Sequence, residues 1–263
     1  MELTGKVAIV TGAGGGGCGR AIARHFAQNG AAVVVSDIDE DGARETVRRI
    51  EESGGRASLF PADVRHRDQV QALIAHAEQT FGGLDILVSN ASAPYRPDEP
   101  LDHWMETLET DLLGAMYGAR LAIDAMRRRG GGAIVNIGST SALPHGRKKG
   151  AVSPAYDTAK AAVIRFTTML GPLVAKENIR VNCLAPDWVA TEHIAHAVAE
   201  FTPEQREEWD VPQRITTLEE IAAIVLWLAI DESLNGRIAL WVKDVGPHFI
   251  PWGDPGYAAL ESF

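Results

Sequence analysis

The alternation of short apolar runs with helical segments constrains the fold of this 263-residue chain more than any other feature. Strands that are apolar along their whole length are typical of parallel sheets buried on both faces, with helices as the crossovers. The sequence therefore predicts an α/β fold, a doubly wound domain with a seven-stranded parallel sheet flanked by helices. The predicted strands are Val7–Val10, Ala32–Ser36, Ala57–Phe60, Ile86–Ser89, Ala133–Ile137, Arg180–Leu184 and Ile238–Val242.

Helical patterns fill the intervals between these strands. Their apolar residues recur at three- and four-residue spacing, which is the period of an amphipathic helix. Ser153 followed by Pro154 predicts a helix start, with serine as the N-cap and proline as the first helical residue. The predicted helices are Gly19–Asn29, Asp39–Glu52, Arg67–Phe81, Leu101–Met126, Ser153–Lys176 and Leu218–Ile230.

Two segments depart from this alternation. Residues 190–214 are helical but polar and follow Pro186, which is typical of a lid over a site. Residues 246–263 are rich in proline, glycine and aromatic residues and predict an irregular tail. Neither segment has the composition of a linker, so we predict a single domain over residues 1–263.

Composition excludes several classes of partner. The formal net charge is −10, whereas a nucleic-acid-binding surface usually carries an excess of basic residues. No run approaches the roughly 18 apolar residues that a membrane-spanning helix needs. The N-terminus lacks the apolar core of a signal peptide, and the only two cysteines are far apart. We expect a cytoplasmic protein whose partner is a small molecule.

A glycine-rich stretch from Gly12 to Gly19 lies between the first predicted strand and the first predicted helix. Glycines in this place allow a tight turn, and they let a pyrophosphate approach the free N–H groups at the helix N-terminus. Flexible loops also contain glycine strings. The position between strand and helix nevertheless favours a dinucleotide site.

Asp37 stands at the end of the second predicted strand, close to the spacing at which an acidic residue meets the adenosine ribose. A carboxylate there accepts hydrogen bonds from the ribose hydroxyls and repels a 2′-phosphate. No lysine or arginine lies between Gly12 and Cys18, so the sequence favours NAD over NADP. The alternative is that Asp37 only caps the helix that begins near Asp39.

Tyr156 and Lys160 are spaced to lie on one face of a helix, after a strand that leads to Ser139. Free tyrosine titrates near pH 10, whereas a neighbouring cation and a helix N-terminus both favour the phenolate. We therefore expect the pKa of Tyr156 to fall towards the range of a general acid/base. Ser139 would stabilise charge on a substrate oxygen.

Together these motifs resemble the classical short-chain dehydrogenase/reductase family over nearly the whole chain. The resemblance implies a Rossmann-like domain, NAD as cofactor and a homotetramer built through the long helices and the last strand. Asp63-Val64 is similar to the family's adenine-contacting motif, Ser89–Ser92 to its Asn-Asn-Ala-Gly, and Pro186–Thr191 to its nicotinamide segment. The implied cofactor-binding residues are Gly12, Gly17, Cys18, Gly19, Asp37, Asp63, Val64, Asn90, Tyr156, Lys160, Val189 and Thr191.

The resemblance also implies a reaction, the interconversion of a secondary alcohol and its ketone. Tyr156 would exchange the proton with the substrate oxygen, Lys160 would hold the nicotinamide ribose, and hydride would pass to or from the nicotinamide. The implied catalytic residues are Ser139, Tyr156, Lys160 and Asp111.

Four features depart from the family's pattern. The glycine loop is one residue longer, and Asp187 replaces the glycine after Pro186. A basic insert, residues 144–150, lengthens the interval between Ser139 and Tyr156. Asp111 stands where the family has an asparagine; an ionised aspartate only accepts hydrogen bonds, and its charge would oppose formation of the Tyr156 phenolate. The position could still hold the family's relay water.

Alternatives remain open for the function and for several residues. A halohydrin dehalogenase-like lyase would keep serine and tyrosine on this fold, but Lys160 and Asp37 argue against it. An NAD-binding sensor or scaffold without turnover is the second alternative. The basic insert is either a solvated loop or a steering site for an anionic substrate. His145, His193 and His196 are expected on the lid or surface, with no metal site.

Overall fold

A single sheet of eight strands forms the centre of the computed structural model, which describes residues 2–94, 100–143, 153–242 and 246–251. The strand order is β3-β2-β1-β4-β5-β6-β7-β8. Each pair from β3 to β7 is parallel, and β8 runs antiparallel to β7. The strands are β1 (Val7–Thr11), β2 (Ala32–Ser36), β3 (Arg56–Leu59), β4 (Ile86–Ser89), β5 (Gly132–Ile137), β6 (Ile179–Ala185), β7 (Ile238–Val242) and β8 (Gly246–Phe249).

Helices cover both faces of this sheet. Successive strand residues point to opposite faces, so Ala8 and Val10 join one core cluster while Val7 and Ile9 join the other. The helices are α1 (Cys18–Gln28), α2 (Glu40–Glu52), α3 (Arg67–Phe81), α4 (Leu101–Leu108), α5 (Gly114–Arg129), α6 (Pro154–Val174), α7 (Glu192–Glu200), α8 (Pro203–Glu208) and α9 (Leu218–Ile230). In the described parts of the chain, none of them is both long and apolar enough to cross a membrane.

Side-chain caps fix where several helices begin. The hydroxyl of Ser153 accepts a hydrogen bond from the N–H of Tyr156, and Pro154 is the first residue of α6, as the sequence predicts. This cap places Tyr156 in the first turn of α6. Thr217 and Glu220 form a reciprocal capping box at the start of α9, which packs against α1.

The order in which strands are added to the sheet reverses between β1 and β4. The segment β1-β2-β3 extends to one side, and the chain then returns to place β4 beside β1 on the other side. Ligands in doubly wound sheets bind in the crevice that opens at the carboxyl ends of strands at such a point. The strand order alone therefore predicts a ligand site at the carboxyl ends of β1 and β4.

Two predictions of local structure are wrong. The sheet has eight strands rather than seven, because residues 246–249 of the predicted irregular tail pair with β7 and Phe249 packs against Trp227. The predicted helix Leu101–Met126 is interrupted, because one π-helical turn, Glu109–Leu113, separates α4 from α5. Such turns often occur at functional sites, and this one carries Asp111. Residues 252–263 of the predicted tail lie outside the described residues.

Candidate active site

A cleft of about 1120 Å³ opens at the carboxyl ends of the parallel strands. Every predicted site residue except Asp111 lines it, from the glycine loop at one end to Ser139, Tyr156 and Lys160 at the other. Asp111 lies beneath the cleft surface with its side chain fully buried. Motifs that are more than a hundred residues apart in the chain therefore meet at one site.

The glycine loop joins β1 to α1 with its backbone closely packed. Gly12 has a φ of +66°, in the left-handed region that favours glycine. A Cβ on Gly19 would lie 2.1 Å from the carbonyl oxygen of Gly12, so only glycine fits. Asn90 braces the turn, because its side-chain amide donates to the carbonyls of Thr11 (2.9 Å) and Gly12 (3.0 Å).

The longer loop is tied to the start of α2. The guanidinium of Arg20 donates to the carbonyls of Gly14 and Gly42, and its Nε donates to the hydroxyl of Thr46 (2.8 Å). That hydroxyl in turn donates to the carbonyl of Ala13 (2.7 Å). The contact between Arg20 and Thr46 could not be predicted from the sequence, because their separation of 26 residues has no periodic signal.

Asp37 faces the glycine loop at the end of β2. One carboxylate oxygen accepts the N–H of Gly14 (2.7 Å), and the other accepts the N–H of Asp39 (3.0 Å). Asp39, not Asp37, caps α2, because its side chain accepts the N–H of Gly42. The alternative reading of Asp37 as the helix cap is therefore wrong, and its carboxylate lines the cleft.

Asp63 and Val64 line the same half of the cleft. The carboxylate of Asp63 is paired with Arg65 at 2.6 Å, and this hydrogen bond holds the pKa of Asp63 below its usual value. Val64 is buried, and a Cβ on Gly114 would lie 2.7 Å from its side chain. The pairing with Arg65 was not anticipated from the sequence.

Ser139, Tyr156 and Lys160 converge at the other end. Ser139 follows β5 and shares a side-chain hydrogen bond with Tyr156. The Lys160 ammonium lies 5.4 Å from the centre of the Tyr156 ring and donates to the carbonyl of Ile137 (3.1 Å). Two turns of α6 and the end of β5 thus bring a hydroxyl, a phenol and an ammonium together, as the sequence predicts.

Asp111 contacts Lys160 directly. One carboxylate oxygen lies 2.9 Å from the Lys160 ammonium, and both side chains are buried. The same carboxylate accepts the hydroxyl of Ser92 (2.5 Å) and the N–H of Ala93 (2.8 Å). The aspartate therefore makes the contact to the lysine itself, where the sequence analysis left room for a bound water.

The electrostatic balance at Tyr156 differs from the expectation. Burial raises the pKa of Tyr156, Lys160 lowers it, Asp111 raises it, and the hydrogen bond with Ser139 lowers it. The result is a pKa above the usual value of 10.0, so the expected fall is wrong for this arrangement. Burial also opposes the charge of Lys160, but Asp111 and Tyr156 raise the pKa of that ammonium above its usual value.

The segment after β6 forms a further wall of the cleft. Val189 and Thr191 line the cleft where the nicotinamide segment was predicted, and the Thr191 hydroxyl caps α7. Asp187 accepts a hydrogen bond from the hydroxyl of Thr140 (3.1 Å). Aromatic side chains that the sequence analysis did not single out complete this wall: Trp188, Phe201 and Trp209.

The comparison with known proteins agrees with this geometry. Residues 6–201 match the model of the short chain dehydrogenase family. The chain belongs to this family. This chain is similar to a 3beta-hydroxysteroid dehydrogenase 1 of Eggerthella lenta, with 36% identity over 241 residues, or 88% of this chain and 89% of that protein. A cis-4-hydroxycyclohexanecarboxylate dehydrogenase of Sinomonas cyclohexanicum is 36% identical over 230 residues, 86% of this chain and 90% of that protein.

A solved structure has the same fold. It is a 7 alpha-hydroxysteroid dehydrogenase in complex with NADH and 7-oxo glycochenodeoxycholic acid. The two structures superimpose with a TM-score of 0.81 at 30% sequence identity, over 93% of this chain and 95% of that one. The α/β architecture is thus shared with an enzyme of known structure.

Two of the three histidines singled out from the sequence lie in the described part of the chain. His193 lines the cleft and His196 pairs with Glu200 on the exposed side of α7. Along the ranges that the structure describes, no cluster of three or more histidine, cysteine or acidic residues could hold a metal ion. His145 and the basic insert at 144–150 lie outside the described residues.

Proposed function

We propose that this chain is an NAD(H)-dependent oxidoreductase that interconverts a secondary alcohol and its ketone by hydride transfer. The observation that carries the proposal is the convergence of Ser139, Tyr156 and Lys160 at one end of a cleft whose other end is the glycine loop with Asp37. Membership of the short chain dehydrogenase family supports it, as does the NADH in the solved structure of similar fold.

The dinucleotide end of the cleft fits NAD. Gly17, which has no side chain, precedes α1, so the first N–H groups of this helix have no side-chain cap and can receive a pyrophosphate. A Cβ on Gly15 would meet no atom within 4 Å, so the outer side of the loop is open. The carboxylate of Asp37, beside the loop, would accept ribose hydroxyls and repel a 2′-phosphate, which favours NAD over NADP.

Each residue of the catalytic end has a role that its contacts support. When bound, NAD(H) supplies or accepts the hydride. Tyr156 would give a proton to the carbonyl oxygen or take one from the alcohol, and Ser139 would donate a hydrogen bond to that oxygen. Lys160 would bind the nicotinamide ribose and stabilise the phenolate, and Val189 and Thr191 would hold the nicotinamide.

The aromatic wall favours a ring-shaped substrate. Trp188, Phe201 and Trp209 offer flat apolar surfaces, and the rings of Phe201 and Trp209 lie 5.9 Å apart. Burial of apolar ring surface against such side chains is favourable. Two relatives are named for cyclic alcohols, a hydroxysteroid and a hydroxycyclohexanecarboxylate. We therefore place an alicyclic alcohol or ketone first among the substrates to be tested.

We also propose that the protein is a homotetramer and that it is cytoplasmic. Large apolar side chains are exposed on neighbouring helices, among them Met105 on α4 and Met169 and Leu173 on α6, at 58%, 59% and 69% exposure. Such exposed apolar residues support an interface between copies of the chain. Cys18 and Cys183 are both free thiols, which suits a reducing compartment. Light scattering after gel filtration measures the assembly.

The test is turnover by the Tyr156→Phe variant. Removing the hydroxyl should lower kcat by about 10²- to 10⁴-fold, which is the usual contribution of a general acid/base. NADH binding, followed by nicotinamide fluorescence, should stay close to that of the unchanged protein. Assays would use secondary alcohols, from 2-butanol to cyclohexanol and a hydroxysteroid, together with the corresponding ketones.

Tyr117→Phe on α5 is the matched control, because this half-buried tyrosine lies outside the cleft. It should leave kcat unchanged. If the unchanged protein binds NADH but turns over none of these substrates, the sensor alternative replaces the enzyme. If Tyr156→Phe retains full turnover, the assigned role of Tyr156 is wrong.

A further inference from the structure

The π-helical turn between α4 and α5 places the carboxylate of Asp111 against the ammonium of Lys160. The side chain of Asp111 is fully buried, and that of Lys160 is almost so. Three donors converge on this carboxylate: the Lys160 ammonium, the Ser92 hydroxyl and the Ala93 N–H. A carboxylate with three partners is fixed in place, and the ammonium is fixed with it by its second bond, to the carbonyl of Ile137.

The direct contact changes the charge that Tyr156 experiences. With Asp111 ionised, the group of Asp111, Lys160 and neutral Tyr156 carries no net charge, and loss of the phenolic proton would make it −1. Without that carboxylate the group would carry +1, and loss of the proton would make it neutral. Forming a net charge in a buried site is costly, so the carboxylate opposes phenolate formation.

We propose that Asp111 is a positioning residue that pins Lys160 by a direct ion pair and keeps Tyr156 in its neutral, proton-donating form up to alkaline pH. The inference rests on the proposed function for its meaning in catalysis. Under it, reduction of the ketone, which needs the neutral phenol, proceeds at neutral pH. Oxidation of the alcohol, which needs the phenolate, rises only as the pH becomes alkaline.

Burial is the largest cause of the raised pKa of Tyr156, and Asp111 is the charged group that raises it most. Asp157, on the same helix as Tyr156, also raises the pKa of the phenol, but less than Asp111 does. The thiols of Cys18 and Cys183 face Lys160 from α1 and β6. Burial raises their pKa values to about 11 and about 12, so neither thiol carries a charge at neutral pH.

The experiment titrates Tyr156 directly in the protein without cofactor. Phenolate absorbs near 295 nm, and subtracting the titration of Tyr156→Phe isolates the signal of this one tyrosine. In Asp111→Asn the midpoint should move to lower pH. The pH profile of kcat/KM for alcohol oxidation should move the same way, and the rate on its acid limb should rise about tenfold for each pH unit by which the midpoint falls.

Asp85→Asn is the matched control. Asp85 is likewise a buried carboxylate that pairs with basic side chains, Lys6 and Arg129, but it lies outside the cleft. This variant should lose stability and leave the Tyr156 titration unchanged. If Asp111→Asn does not fold, as judged by circular dichroism, Asp111→Ser removes the same charge with less volume.

An unchanged or raised midpoint in the neutral Asp111 variant would overturn the inference. Because the absorbance titration needs no turnover, it separates this failure from a failure of the proposed function. A protein that binds NADH without reducing any ketone refutes the function, and its titration still decides whether Asp111 controls Tyr156.

Discussion

Replacing Gly19 with alanine tests whether the glycine loop is held by its own close packing. The added Cβ would lie 2.1 Å from the oxygen of Gly12 and 2.6 Å from the side-chain nitrogen of Asn90. The Gly12 carbonyl is backbone, so relief requires the turn to move and the Asn90 hydrogen bond to lengthen. Overpacking costs about 1–3 kcal/mol, and the loss of a hydrogen bond adds about 0.5–1.5 kcal/mol.

Alanine also has a higher helix propensity than glycine, which offsets up to about 1 kcal/mol in α1. We therefore expect Gly19→Ala to lower the free energy of unfolding by about 0.5–4.5 kcal/mol. For a chain of this size the midpoint of thermal unfolding falls by about 3 °C per kcal/mol. Affinity for NADH should fall as well, because the same turn presents the N–H groups to the pyrophosphate.

Gly15→Ala in the same loop is the control, because a Cβ there meets no atom within 4 Å. Its free energy of unfolding should stay within about 0.5 kcal/mol of that of the unchanged protein. Differential scanning fluorimetry and fluorescence titration with NADH measure both variants. Equal stability of Gly19→Ala and Gly15→Ala would refute the argument from close packing.

Two further substitutions test other parts of the molecule. Asp37→Ala should raise the kcat/KM for NADP relative to NAD by about tenfold, which is equivalent to about 1.4 kcal/mol. The reason is that the carboxylate beside Gly14 no longer repels a 2′-phosphate. An unchanged preference would contradict the role of Asp37. Thr217→Ala should lower the free energy of unfolding by about 1 kcal/mol, because it removes the cap on the N–H of Glu220. Thermal unfolding measures this loss, and equal melting temperatures would count against the capping box.

The predictable part of this fold is the part governed by periodicity. Strand β2 and helix α3 begin and end at the predicted residues, Ala32–Ser36 and Arg67–Phe81, because each has a clear pattern of burial. Strand β8 has no such pattern: it contains Gly246 and Pro247, and it forms only because β7 offers an edge to pair with. The π-helical turn was missed because a shift of one backbone hydrogen bond leaves no mark in residue spacing.

The candidate site likewise has one part that could be predicted from the sequence and one part that could not. Residues that follow a strand or open a helix, such as Asp37, Ser139 and Tyr156, could be placed at one edge of the sheet from chain order alone. The ion pair between Asp111 and Lys160 could not, because it depends on a distance across two helices. The raised pKa of Tyr156 could not be predicted either, because it depends on burial and on the positions of neighbouring charges in three dimensions.

The antiparallel strand β8 has a consequence for the behaviour of the chain in concentrated solution. A parallel sheet that ended at β7 would expose a row of unpaired backbone donors and acceptors, which is a template for intermolecular strand pairing. Strand β8 occupies that row, and Pro247, paired opposite Trp241, has no N–H to offer to a further strand. Among the strands that the structure describes, the sheet thereby ends with a residue that discourages fibrous growth.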